Sequence, residues 1–266
     1  MRYLVSLLFF LASPVYACGP DTDCPIGARH YRVAMPDGHD GATPVAALVW
    51  SHGFGGSAAG VMRNGSIRRM LSDAGIALIA VQGIEGRWAL PYSPGFFDSD
   101  GSAEFAFFDA VLNDATARFA IDPARIIASG FSLGGMMVWN LACSHPERFS
   151  GFIPISGTFW LKPPHDCEGP VRSLVHIHGT QDKTVPLIGR RIRETKQGEV
   201  AAALITYERF GAFGAAEKYK AGTLSCEVRR NGAGDVLDFC LFEGGHSFRT
   251  EHLAHGIAKL REAGAL

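Results

Sequence analysis

The sequence lacks a net charge of either sign: 25 Lys and Arg against 26 Asp and Glu leave −1 over 266 residues. No basic field is therefore available to hold nucleic acid, and none is expected as a partner. It lacks an apolar run of about 18 residues, the least that spans a bilayer as a helix, because the stretch Leu4 to Leu11 gives way to Ser13 and Pro14. It lacks repeats, a Pro/Ser-rich linker or a charge block that would divide the chain, so one domain is expected. No Gly-Lys-Ser/Thr follows the Gly-rich segment at 53–56, which removes a P-loop. Its His, Cys and acidic residues show no metal-ligand spacing, so neither a metal nor a cofactor is expected.

What the sequence does have begins at the amino terminus. Arg2, the apolar run, the Pro14 break and Val15-Tyr16-Ala17 form a signal peptide over residues 1–17, leaving 18–266 as a secreted or periplasmic domain. All six cysteines lie beyond that point, and an even number in an exported chain is expected to pair. Many connectivities are open to six cysteines. Cys226 and Cys240 flank a hairpin pattern turning at Asn231-Gly232, and Cys18 and Cys24 are near neighbours, which leaves Cys143 for Cys167. Lipidation of Cys18 is the competing reading, but Tyr16 fits a lipobox poorly and an odd number of thiols would remain.

Short apolar runs at Arg29 to Met35, Val45 to Trp50, Ile76 to Val81, Arg125 to Gly130, Gly151 to Ser156 and Ser173 to His178 read as strands. Helical patterns at Ser57 to Ala74, Ala103 to Phe119, Leu133 to Cys143, Pro186 to Gly198 and Ser247 to Ala263 alternate with them. Leu224 to Phe242 reads as a two-stranded excursion. Such alternation implies an α/β fold with a mostly parallel central sheet flanked by helices on both faces. Catalytic groups in these sheets gather at the carboxyl ends of strands.

Gly130-Phe131-Ser132-Leu133-Gly134 matches G-x-S-x-G where a strand pattern passes into a helix pattern, the context that gives the motif meaning. A sharp turn there needs neighbours without side chains and exposes the serine oxygen. A serine hydroxyl needs a base, and the base needs an acid to orient it. Asp182 follows a buried strand and His246 follows Gly244-Gly245, in the order Ser, Asp, His. Asp166, Asp235 and Asp238 are weaker candidates for the acid; His176 and His178 read as core, and His252 and His255 as surface of the closing helix. The tetrahedral oxyanion needs backbone donors: Leu133, after the nucleophile, and Phe54, in the loop after an earlier strand.

With these motifs in hand the chain resembles the polyhydroxybutyrate depolymerase-like and feruloyl esterase-like secreted esterases grouped with carbohydrate esterase family 1, in the α/β-hydrolase superfamily. The resemblance rests on Cys18-x5-Cys24 leading into Tyr31-Arg32-Val33, HGFGGS, Ile121-Asp122-Pro123-Ala124-Arg125, GFSLGGMM, the segment Leu141 to Phe149, HGTQDKTVP and GGHSF. It implies an α/β-hydrolase fold without a large lid, and a triad falling on Ser132, Asp182 and His246. The family often has Trp after its His-Ser pair, where this chain has Phe248. Depolymerases of crystalline polyester often carry a binding module that these 266 residues do not include, so attack on solid polymer is not expected.

Phe54, Trp160 and Trp88 are the aromatics expected to line a substrate cleft, with Trp139 in the core. The resemblance implies an ester substrate, either a hydroxyalkanoate oligomer or an aryl ester such as a feruloyl group. A peptidase of the same fold and an inactive binding module are the competing classes. Neither the oligomeric state nor the acid and alcohol released can be read from the sequence.

Overall fold

The computed structural model describes residues 18–266; the signal peptide expected over 1–17 lies outside them. The strands are β1 (Cys24–Ile26), β2 (Arg29–Ala34), β3 (Val45–Ser51), β4 (Ile76–Val81), β5 (Ile121–Phe131), β6 (Gly151–Ile155), β7 (Ser173–Gly179), β8 (Arg190–Ile192), β9 (Thr195–Gln197), β10 (Glu217–Ala221), β11 (Leu224–Arg230) and β12 (Val236–Phe242). The helices are α1 (Ala58–Met62), α2 (Gly65–Asp73), α3 (Ser102–Arg118), α4 (Leu133–Ser144), α5 (Val200–Gly211) and α6 (Thr250–Glu262).

Ten strands form one sheet in the order β1-β2-β4-β3-β5-β6-β7-β12-β11-β10. The middle, from β4 to β12, is parallel, and both edges are antiparallel. Central strands covered on both faces must be apolar on both, and alternate residues of β3 divide accordingly. Ala47 and Val49 pack beneath α3, α4 and α5 with Phe108, Met137, Trp139 and Tyr207. Leu48 and Trp50 pack beneath α1, α2 and α6 with Ile67, Leu71, Leu253 and Ile257.

Disulfides join Cys18 to Cys24, Cys143 to Cys167 and Cys226 to Cys240. The last pair are directly opposite in the β11–β12 register, and the second ties the end of α4 to the loop before β7.

Four expectations need correction. The helix expected over 186–198 is the two-stranded ribbon β8–β9: Gly189 has φ +71°, outside the helical region, and Thr195 and Gln197 alternate inward. The helix in this part of the chain is α5 instead. The stretch from Ser57 to Ala74 is two helices, because the Asn64 side chain accepts from Ser66 N and Ile67 N and starts a second one. The carboxyl-terminal excursion has a third strand, β10. Finally, His252 is not on the surface, and His255 is partly buried. His252 is buried and stacked on Phe242, and His255 faces Asp238 and Tyr219 beside the Cys226–Cys240 bridge.

Candidate active site

Strand β5 ends at Phe131, and the chain turns into α4 through Ser132, whose φ of 60° is one that side-chain-bearing residues rarely adopt. The turn closes only because its neighbours are glycines. A Cβ on Gly134 would lie 1.9 Å from Ser51 O, and one on Gly130 would lie 2.6 Å from the Gly134 backbone. Ser132 N donates to Ile155 O at 2.9 Å, fixing the turn against β6.

Two further strand ends deliver the partners. Asp182 follows β7 and His246 follows β12, and backbone bonds join the two loops: Thr180 N donates to Phe242 O and Gln181 N to Gly244 O. The Ser132 hydroxyl lies 2.9 Å from His246 Nε2, and His246 Nδ1 lies 2.6 Å from Asp182 Oδ2. Since a carboxylate only accepts, Nδ1 carries the proton and Nε2 is left to accept from the serine. The Phe131 ring packs on the imidazole with centroids 4.6 Å apart, and Phe248 packs on Phe131 and Trp50. His246 lies in the loop before α6.

Asp182 is buried. Burial alone would raise its pKa, but hydrogen bonds from His178, His246 and Val185 N outweigh it and hold the carboxyl well below the usual range. Its other oxygen accepts from Thr184 N and Val185 N, both at 2.8 Å.

Behind Asp182 runs a chain of donors that sequence reasoning assigned only to the core. Trp139 Nε1 can only donate and lies 3.2 Å from His176 Nδ1, so His176 carries its proton on Nε2. That nitrogen donates to His178 Nδ1 at 3.0 Å, leaving His178 Nε2 to donate to Val185 O at 2.8 Å, with Asp182 Oδ2 3.4 Å away. Burial pushes the His176 pKa well below its ordinary value, keeping the ring neutral. The His-x-His alternation on β7, which puts both rings on one face of the strand, was the available signal.

The loop after β3 is pinned next to Ser132. His52 Nδ1–H donates to Gly53 O, His52 Nε2 accepts from Gly83 N, and Trp88 Nε1 donates to His52 O. Burial lowers the His52 pKa, which keeps Nε2 free to accept. The backbone N–H groups of Phe54 and Leu133 have no acceptor among the described residues.

A cavity of about 360 Å³ opens at Ser132 and Leu133. Its walls come from Phe54, from Arg87–Trp88 and Ser93–Phe96, from Met136 and Trp160, and from the ribbon side with Arg190, Ile192, Arg193 and Gln197. All three aromatics expected at a cleft line it, in different settings: Phe54 is 74 % exposed, whereas Trp160 and Trp88 are 7 % and 1 % exposed. Trp88 thus serves the core and the wall together. Trp139 does not line the cavity and packs in the core.

Away from this cavity, Cys226, Cys240, Asp238 and His255 bring potential metal-ligating atoms within 4.8 Å of one another. The two sulfurs are bonded to each other and so supply no thiolate.

The phospholipase/carboxylesterase family matches residues 105–200. The NocK protein of Nocardia uniformis subsp. tsuyamanensis, named as an esterase, is 32% identical over 158 residues, 59% of this chain and 44% of that protein. Feruloyl esterase C of Emericella nidulans is 27% identical over 171 residues, covering 62% and 58%. The chain thus spans about half the length of these curated relatives. Among solved structures, a Bacillus cereus carboxylesterase superposes with a TM-score of 0.61 at 15% identity, covering 89% of this chain and 95% of that one. An acetyl xylan esterase from Aspergillus awamori gives 0.61 at 14%, covering 94% and 97%.

Proposed function

We propose that this chain, which has the α/β-hydrolase fold, is an exported serine esterase whose residues 18–266 form the catalytic domain and whose nucleophile is Ser132. The observation that carries the reading is the hydrogen-bonded series Ser132–His246–Asp182 opening into a cavity beside two backbone donors without acceptors.

His246 Nε2 takes the serine proton as Oγ attacks the ester carbonyl. The carbonyl oxygen becomes an oxyanion between Phe54 N and Leu133 N, donors already oriented before the reaction. His246 returns the proton to the departing alcohol, and a water repeats the sequence on the acyl-enzyme to release the acid. Asp182 stays ionised and holds the imidazole in the tautomer that accepts from Ser132. Three disulfides support an oxidising compartment outside the cytoplasm. The substrates are small carboxylic esters, either hydroxyalkanoate oligomers or aryl esters such as feruloyl groups; the feruloyl esterase named among the relatives supports the second, and the apolar walls suit both.

The test sets p-nitrophenyl esters of rising chain length, methyl ferulate and hydroxybutyrate oligomers against the purified protein, with and without a serine-directed phosphonate. Hydrolysis abolished by the phosphonate and labelling at Ser132 are expected. Hydrolysis insensitive to the phosphonate but abolished by a chelator would overturn the mechanism.

A further inference from the structure

Acyl transfer to Ser132 does not require positive charge, yet the cavity around it has that charge and no other. Arg87, Arg190 and Arg193 line it, and no carboxylate does among the described residues, in a chain whose formal charge is −1. Arg87 is partly engaged, pairing with exposed Glu85 at 3.1 Å and lying over Phe96. Arg190 donates through Nε to Thr184 O and Gln197 Oε1, which orients its guanidinium and leaves the two terminal nitrogens for another acceptor. Arg193 stands at the β8–β9 turn with φ +52°, and its side chain has no partner among the described residues.

An apolar wall stands beside these charges. Trp160 lines the same cavity and its backbone is bridged to Gln197, so the ribbon bearing the arginines is fixed to that wall.

We infer that this cavity recognises esters with a free carboxylate remote from the bond that is cleaved, held by Arg193 and Arg190. The guanidinium fork matches a carboxylate in two parallel hydrogen bonds, while Phe54, Met136 and Val185 cover the body of the ester. The inference rests on the esterase reading and narrows it. Soluble hydroxyalkanoate oligomers end in such a carboxylate; a neutral alkyl or aryl ester does not supply one.

The experiment compares kcat/KM for hydroxybutyrate trimer as the free acid and as its methyl ester. The acid should be preferred by about tenfold or more at low salt, as charge-assisted bonds of this kind imply. The preference should shrink in about 0.5 M salt, where exposed charges are screened. In R193Q the ratio should fall towards unity, mainly through KM, whereas K196Q, on the same ribbon but outside the cavity wall, should keep it. Equal rates on acid and methyl ester, or a ratio retained in R193Q, would overturn the inference. Calorimetric titration of the S132A protein with hydroxybutyrate dimer and its methyl ester reads the subsite without turnover. If the wild type hydrolyses no ester at all, the esterase reading fails, and this titration still decides the carboxylate site: tighter binding of the acid, weakened by R193Q, supports it, and equal binding rejects it.

Discussion

The floor of the cavity and its rim differ in how their polar groups are used. On the floor, at the ends of β5, β7 and β12, the polar groups of Ser132, His246, Asp182, His178 and His176 engage one another or a backbone partner, and backbone bonds tie the loops together. On the rim, the β8–β9 ribbon turns on an exposed arginine, and Phe54 leaves most of its ring in solvent. The floor tolerates almost no change in backbone position, because a Cβ on Gly134 would lie 1.9 Å from Ser51 O and one on Gly130 2.6 Å from the Gly134 backbone. The rim can change side chains while keeping its backbone, which suits a surface that selects substrates.

The largest expected effect lies on the floor. Ser132→Ala should reduce turnover by several orders of magnitude, on the scale of about 10⁶ known for removing a triad serine, with thermal unfolding little altered. A variant within tenfold of wild type would show that the floor is not where the chemistry happens.

Gly134→Ala tests backbone approach instead of chemistry. Its Cβ would meet Ser51 O at 1.9 Å, so α4 must move from β3, and a loss of several kcal/mol, roughly 4 or more, is expected together with activity. Denaturant unfolding measures it; a midpoint equal to wild type would mean that the turn adjusts freely.

A smaller effect should come from Cys143→Ser with Cys167→Ser, which frees the end of α4 from the loop before β7. Loops of this order contribute about 3 kcal/mol. The melting temperature should fall by several degrees, and faster hydrogen exchange should be confined at first to α4 and the 160–170 loop.

The pH dependence of stability is the subtlest. His52, His176 and His252 have pKa values lowered by burial, and hydrogen bonds lower that of Asp182. The unfolded chain therefore binds protons before the folded one does, and stability falls as pH falls. The stabilisation is fully present above the unfolded histidine value of about 6.5. It should decline from there, and more steeply below about 4 as carboxylates join. A melting temperature constant from pH 8 to pH 5 would contradict neutral rings at His52, His176 and His252.

Much of the floor could be read before any coordinates. Gly130, Ser132 and Gly134 announce a strand-to-helix turn through their own identities, and Asp182 and His246 stand in an order that only a few folds use. Of the donor chain from Trp139 through His176 and His178 only the His-x-His alternation was legible, because the rest depends on which rings lie within about 3 Å across two elements. The burial of His252 and the partners of His255 were not legible for the same reason: a helical pattern identifies a face but not what covers it, here Phe242 and the strands carrying Tyr219 and Asp238.

What the sequence determined by itself were features encoded over a few adjacent residues. The apolar runs make strands buried on both faces, and the glycines permit the turn at Ser132. Only the tertiary structure decided that residues 190–197 are a ribbon rather than a helix. Strands of three residues have little stability of their own, and this one holds its place through Gly198 N bonded to Phe159 O, Leu161 N bonded to Lys196 O, and the bridge of Gln197 to Trp160. Those partners are remote in sequence, so no local pattern around Arg190 and Arg193 could place their guanidinium groups at the mouth of a cavity whose floor is Ser132.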